Sequence, residues 1–132
     1  MRKYVGFLCF CLVMLTGCSK HHTANDIVID FKESSLYCEE ERKEAIAPIE
    51  EYFEEFQDCT LNSIRYAGDD VTKERASYYK KDPLIVFLID FYVGNNASAS
   101  LNPNSEYIDW QVTLVKDENK NWVADPNMCG YG

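Results

Sequence analysis

The sequence contains only two histidines, His21 and His22, and both lie near its start. The rest of the chain therefore has no histidine to activate a nucleophile, which argues against a Cys–His or Ser–His catalytic pair. The two histidines stand in a polar stretch, and no third ligand follows at metal-binding spacing. Glycine-rich phosphate loops and Cys-x-x-Cys pairs are also missing from the sequence. We therefore expect no metal site and no cofactor.

Basic residues are scarce. The chain has 13 Lys and Arg against 22 Asp and Glu, a net charge of −9. Nucleic-acid binding needs clustered Lys and Arg, so the composition argues against that partner. It also argues against a domain that lies flat on anionic lipid. An acidic surface would suit a basic partner.

The apolar run at the start of the chain is too short to span a membrane. Val5–Leu15 is about 11 residues long, whereas a spanning helix needs roughly 20. Arg2 and Lys3 precede the run, and this order is typical of a signal peptide. The segment Leu15-Thr16-Gly17-Cys18 then resembles the lipobox of bacterial lipoproteins. The alternative is an ordinary secretory signal followed by a chance cysteine.

The resemblance to a lipobox implies cleavage before Cys18 and a diacylglyceryl thioether on its sulfur, with acyl chains such as palmitate. Two acyl chains give stable anchoring where one does not, so we expect a lipid anchor on the extracytoplasmic face of the cell membrane. Residues 1–17 would be the signal peptide, 18–30 a lipidated tether and 31–132 one domain. Loss of the signal peptide leaves 11 basic against 22 acidic residues, a net charge of −11.

Six cysteines occur in the sequence. Three lie in the signal peptide or carry the lipid, which leaves Cys38, Cys59 and Cys129. Cys38 and Cys59 flank a predicted helix that would hold them roughly 30 Å apart, and a disulfide needs Cα atoms within about 7 Å. A bridge would therefore join Cys129 to Cys38 or to Cys59. The alternative is three reduced thiols.

The clearest predicted helix is Glu39–Gln57. Its apolar residues recur at the spacing of one helical face, and its first turn is acidic, which suits the helix dipole. Pro48 lies inside the pattern and should kink the helix or split it in two. Those apolar residues are Ala45, Ile46, Ile49, Tyr52, Phe53 and Phe56.

Strands are predicted before and after this helix. Leu84–Val93 is apolar on both faces, which predicts a central strand. Glu106–Lys116 alternates, so that Ile108, Trp110, Val112 and Leu114 face one way, and Tyr107, Asp109, Gln111 and Thr113 the other. A hairpin turn follows at 117–121. Further strands are predicted at 60–66 and 121–125, an extended segment or short strand at 26–31, and a short helix or loop at 72–81.

This order predicts an α+β domain, with a kinked N-terminal helix packed on a curved antiparallel sheet in a cone-like arrangement. Five segments carry a resemblance to known proteins: Tyr52–Phe56, Ile85–Val93, Leu101–Ser105, Tyr107–Trp110 and Asn121–Gly132. With them the chain resembles the nuclear transport factor 2-like (cystatin-like) superfamily, and also small uncharacterised Gram-positive secreted domains. The similarity covers about residues 36–132 but says little about activity.

Asp90 interrupts an apolar strand and is the first candidate site residue. The resemblance implies that Asp90, with Tyr92 on the same strand face, could lie in the cone's cavity as an acid/base for proton transfer next to a carbonyl. The alternative is an Asp that reaches water or bonds nearby backbone. Asp109, Tyr107 and Gln111 form a polar strand face that could add ligand contacts.

We expect a non-enzymatic binding module with Asp90, Tyr92, Tyr107, Asp109 and Gln111 as its candidate ligand-binding residues. The partner would be a small ligand, a peptide or another envelope protein, apart from the membrane reached through Cys18. One alternative is a small cavity enzyme that uses Asp90. Another is an immunity-type surface protein that protects against a toxin.

Overall fold

The structure, a computed structural model, describes residues 27–131. The predicted signal peptide, the lipid-modified Cys18 and most of the predicted tether lie outside these residues. Within them, five strands and three helices precede a short 3-10 turn near the C-terminus. The elements are β1 (Val28–Asp30), α1 (Glu39–Glu44), α2 (Ile46–Phe53), β2 (Cys59–Tyr66), α3 (Asp69–Tyr79), β3 (Leu84–Val93), β4 (Ser105–Lys116), β5 (Trp122–Ala124) and the turn Pro126–Met128.

The five strands form one sheet in the order β1-β2-β3-β4-β5. All neighbours are antiparallel except β1 and β2, which are parallel. A parallel pair needs a long crossover connection, and here α1 and α2 supply it. The predicted α+β class is confirmed, and the sheet is mostly antiparallel. The predicted central strand is confirmed with its bounds, because β3 is third of the five strands.

The segment 39–57, predicted as a helix that Pro48 kinks or splits in two, contains two short helices that meet at Ala45. Pro48 has no N–H to donate to the carbonyl of Glu44, and its ring crowds that carbonyl. Instead, the end of α1 forms a tighter turn, in which the Ala45 N–H donates to the carbonyl of Arg42, three residues earlier, at 3.2 Å. Pro48 then stands in the first turn of α2, where a missing N–H is tolerated. The helical region ends at Phe53, before the predicted limit at Gln57.

The two faces of β3 pack against different elements. Its odd-numbered residues, among them Phe91, join Ile49 and Phe53 of α2 in the main core. On the other face, Leu84 and Val86 join a smaller cluster that includes residues of α3. Since side chains alternate along a strand, the remaining even-numbered positions lie on the α3 side but beyond this cluster. That part of the sheet is less covered, and Tyr92 is 42% exposed.

The segment 72–81, predicted as a short helix or a loop, lies mostly in the helix α3. Asp69 in its first turn accepts hydrogen bonds from Ser34 Oγ at 2.5 Å, the Ser35 N–H at 2.7 Å and Tyr66 Oη at 2.7 Å. The hydrogen bond from Ser34, reinforced by those from Ser35 and Tyr66, lowers the pKa of Asp69 well below its ordinary value against the opposing effect of desolvation. One carboxylate thus joins α3, β2 and the loop before α1.

The cysteines of the described chain, Cys38, Cys59 and Cys129, are free thiols. The bridge from Cys129 that the sequence left open is therefore not formed in this structure. No helix between residues 27 and 131 has the length and apolar character needed to cross a membrane.

Candidate functional site

An ion-pair cluster lies on the α3 side of the sheet, where α3 no longer covers it. We use this name for Ser63 and Arg65 of β2, Asp90 of β3 and Asp109 of β4. Ser63 and Arg65 alternate with buried Ile64 and Tyr66, so strand geometry turns them away from the main core. The register places Ser63 directly opposite Asp90, which brings the polar side chains together.

Asp90 is the centre of the cluster. It accepts from Arg65 Nη1 at 2.7 Å and Nη2 at 3.2 Å, so the guanidinium binds it through both nitrogens. Ser63 Oγ donates to it at 2.9 Å, and the Asp109 backbone N–H at 2.9 Å. Two-point Arg–carboxylate pairing is stronger and more directional than a single contact. Asp90, on β3, is therefore held in one orientation by groups from its two neighbouring strands, β2 and β4.

Asp109 extends the cluster toward solvent. It pairs with Arg65 Nη2, and its side chain is 61% exposed, against 23% for Arg65 and 19% for Asp90. Its φ of 61° is left-handed, a conformation that Asp tolerates better than most residues. The register between β3 and β4 shifts at this point, with Asp90 between the Ile89–Trp110 and Phe91–Tyr107 pairs. A β-bulge thus presents the Asp109 carboxylate beside Arg65.

The electrostatics favour the ionised forms of Asp90 and Arg65. Desolvation alone would raise the pKa of Asp90, but hydrogen bonds from Arg65, the Asp109 N–H and Ser63 outweigh it and lower the pKa. The hydrogen bond to Asp90 raises the pKa of Arg65. One cation and two carboxylates leave the cluster with a net negative charge at neutral pH.

The bulge changes the predicted alternation of β4. Tyr107 was expected on the same face as Asp109, but the inserted residue returns it to the face of the main core. There its ring stacks on Phe91, with centroids 5.2 Å apart and planes at 3°. It also contacts Trp110 and Tyr131. Tyr107 is therefore part of an aromatic cluster on the opposite face from Asp90, and the predicted polar face of β4 is wrong at this position.

The other predicted residues share the face of the cluster. Tyr92 is two residues beyond Asp90 on β3, and its hydroxyl lies 3.5 Å from Asn104 Oδ1. Gln111 is opposite Leu88 on the same face, while its backbone exchanges hydrogen bonds with Gly130 at 2.8 and 2.9 Å. Of the five candidates, the structure joins Asp90 and Asp109 directly, places Tyr92 and Gln111 on the same face, and separates Tyr107.

Arg65 is the residue that the sequence analysis missed. The segment 60–66 was predicted to be a strand, but its polar residues were not linked to Asp90. A signal was present, since Ser63 and Arg65 alternate with apolar Ile64 and Tyr66 next to a strand that contains a single carboxylate. The pairing crosses 25 positions of sequence, so only the strand register reveals it.

The chemistry of this site suits recognition by charge. Arg65 holds both carboxylates of the cluster, and the exposed Asp109 side chain can accept further hydrogen bonds. Within residues 27–131, no group of three or more His, Cys, Asp or Glu side chains could hold a metal ion. Scans against protein-family models and searches of curated proteins and of solved structures gave no match to the chain.

Proposed function

We propose that this chain is a membrane-anchored surface lipoprotein whose domain is a non-enzymatic binding module. Its binding surface would be the α3-side face of the sheet around the ion-pair cluster. The observation that carries this proposal is the exposed Asp109 carboxylate, which Arg65 and a β-bulge hold in a defined position. A carboxylate held in this way has little conformational entropy left to lose on binding.

The surroundings of the cluster indicate the chemistry of a partner. Asp30 is paired in register with Arg65, and Glu106 with Tyr92; both acids are exposed. Ile108 is 47% exposed beside Asp109 and adds apolar surface. A basic polypeptide segment, with an Arg or Lys for Asp109 and an apolar neighbour for Ile108, complements this face. An immunity-type role against a basic toxin is one form of this proposal.

The alternative, a small enzyme with Asp90 as acid/base, has less support. A general acid or base works best with a pKa near the operating pH, whereas the pKa of Asp90 is lowered by its partners. Asp90 also lies on the opposite face of the sheet from α2. The space between α2 and the sheet contains packed aromatic rings, such as Phe53 on Phe91 with centroids 5.4 Å apart.

We also propose the relationship to the nuclear transport factor 2-like superfamily, with a kinked N-terminal helix and a cone-like sheet. Its support is the order of elements, in which a helical segment with a break near Pro48 precedes the four strands β2–β5. An experimental structure of the full chain would test it. A flat sheet with an uninterrupted helix over 39–57 would contradict it.

The lipid anchor is tested by Cys18→Ala. We expect the variant to accumulate as an uncleaved precursor or a soluble form, because no thiol remains to carry the diacylglyceryl group. The measurement is fractionation of expressing cells combined with labelling by a palmitate analogue. Cys11→Ala is the matched control, since it removes a thiol from the signal peptide but leaves Cys18. A cleaved, membrane-bound Cys18→Ala chain would refute the assignment.

The binding face is tested with the mature chain in detergent micelles and a fluorescent peptide that carries arginines with an apolar residue between them. We expect Asp109→Asn to weaken binding by about threefold or more, the scale of one lost surface charge pair. Glu118→Gln is the control because it removes the same charge from the β4–β5 hairpin. Equal weakening by both variants would show only a general attraction to an acidic protein and would contradict the proposal.

A further inference from the structure

A second surface, of opposite charge, lies at the end of the sheet where β3 begins. A groove of about 530 Å³ runs between α3, the loop before α1 and the turn that leads into β3. Its apolar lining includes Leu36, Ala76 and Leu84, and its basic lining is Lys73, Lys80 and Lys81. Asp82 also lines it. This groove is separate from the ion-pair cluster, which lies farther along the same side of the sheet.

Among the described residues, 27–131, no acid forms a salt bridge with the three lysines of the groove. Within residues 27–131, salt bridges join Lys43 to Glu39, and Arg65 to Asp90 and Asp109. Acidic residues outnumber basic ones in the sequence by 22 to 13, so unpaired lysines grouped along one groove are unexpected. Among the residues that line the groove, three lysines stand against a single acid, Asp82.

Lys80 stands where a glycine is the usual residue. It follows the last turn of α3 in the left-handed conformation, with φ 54° and ψ 45°. Glycine is favoured at this position because it has no Cβ to clash. A lysine there loses backbone stability relative to glycine, and Lys80 is one of the residues that line the groove. Replacement of Lys80 by glycine therefore removes the charge without straining the end of the helix.

We propose that this groove binds an acidic, extended segment of a partner protein. Lys73 and Lys80 are seven residues apart, and at 1.5 Å per residue this is roughly 10 Å along α3. An extended chain advances about 3.3 Å per residue, so two acids three residues apart can reach both lysines. A single small anion cannot span them. An apolar residue between the acids would contact Leu36, which is 40% exposed.

The test uses the full mature chain in detergent micelles and a fluorescent peptide with the sequence Gly-Glu-Leu-Ser-Glu-Gly. We expect Lys80→Gly to weaken binding of this peptide by about threefold to fivefold, while glycine preserves or improves the end of the helix. Lys120→Gly is the matched control. Lys120 is also left-handed, with φ 64°, but lies in the β4–β5 hairpin. Thermal melts monitored by circular dichroism would show that both variants fold.

Further variants and peptides make the expected outcome specific. Lys73→Gln should weaken binding by a similar factor, and a peptide with glutamine in place of both glutamates should bind no variant measurably. Equal loss in Lys80→Gly and Lys120→Gly would overturn the proposal, as would unchanged affinity in both. A low-salt dimer that Lys80→Gly abolishes, seen by analytical ultracentrifugation, would also overturn it, because the occupant would then be a second copy of this chain.

Discussion

The two sides of β3 differ in chemistry although they belong to the same ten residues. On the α2 side, Phe91 is fully buried and packs against the rings of Phe53, Phe56, Tyr107 and Trp110. On the α3 side, its neighbour Asp90 is held by Arg65 and Ser63 of β2 and by the Asp109 N–H of β4. The α2 side excludes water, and the α3 side keeps charged groups in contact with water.

The difference between the two sides of β3 indicates which one provides most of the stability and which one suits recognition. Burial of one large apolar side chain contributes roughly 1.5–3 kcal/mol, whereas an exposed ion pair contributes about 0–1 kcal/mol. The aromatic side should therefore dominate the free energy of unfolding. Substitutions at the rim of the charged side should change the free energy of unfolding little. This side can therefore serve in binding.

Phe91→Ala should produce the largest effect. It removes a ring from the centre of the aromatic core, so we expect the free energy of unfolding to fall by about 3–5 kcal/mol. Urea denaturation measures it. The adjacent Tyr92→Ala, on the exposed side, should change that free energy by less than about 0.5 kcal/mol. Similar losses in the two variants would break the comparison between the faces.

Arg65→Met should have an intermediate effect. It leaves the partly buried Asp90 without a cation and next to Asp109, so we expect a loss of about 1–2 kcal/mol at pH 7. Lys43→Met is the control, because it breaks an exposed pair within α1 with a distance of 3.1 Å. The loss in that control should be much smaller. If Arg65→Met lost as little stability as Lys43→Met, the cluster would be no more than a surface contact.

The contribution of Asp90 should depend on pH in one direction. Its pKa is lower in the folded chain than the unfolded value of about 3.9, so folding favours the ionised carboxylate. The stabilisation is complete above about pH 4 and is lost as the pH falls through the folded pKa. Urea denaturation from pH 7 to pH 3 should therefore show the stability gap between the native chain and Asp90→Asn closing in acid. A gap that widens in acid would contradict this.

Asp109→Gly should have the smallest effect on stability. The variant loses an ion pair with Arg65 but also loses a Cβ at a left-handed position. These two changes have opposite effects on the free energy of unfolding, and the net change should be within about 1 kcal/mol. Asp109→Ala loses the same charge and keeps the Cβ, so it should be the less stable of the two. Equal stability of the glycine and alanine variants would show that the bulge carries no backbone strain.

Much of the scaffold could be predicted because it rests on local patterns. The bounds of β3 follow from an apolar run that only Asp90 interrupts. The predicted candidate residues Asp90 and Asp109 do meet. Their link through Arg65 could not be predicted, because Arg65 is 25 positions from Asp90 in sequence and depends on the register of β2 against β3. Tyr107 was assigned to the wrong face because the alternation pattern assumes a strand without a bulge.

The sequence by itself determined the α+β class, the central strand and the acidic character of the chain, since composition and periodicity express directly which side chains avoid water. Only the tertiary structure decided which charges meet and which stay unpaired. The bulge at Asp109, the arginine between two carboxylates and the groove lined by three lysines all depend on how distant segments align. That alignment is set by packing of the whole core, which no local pattern contains.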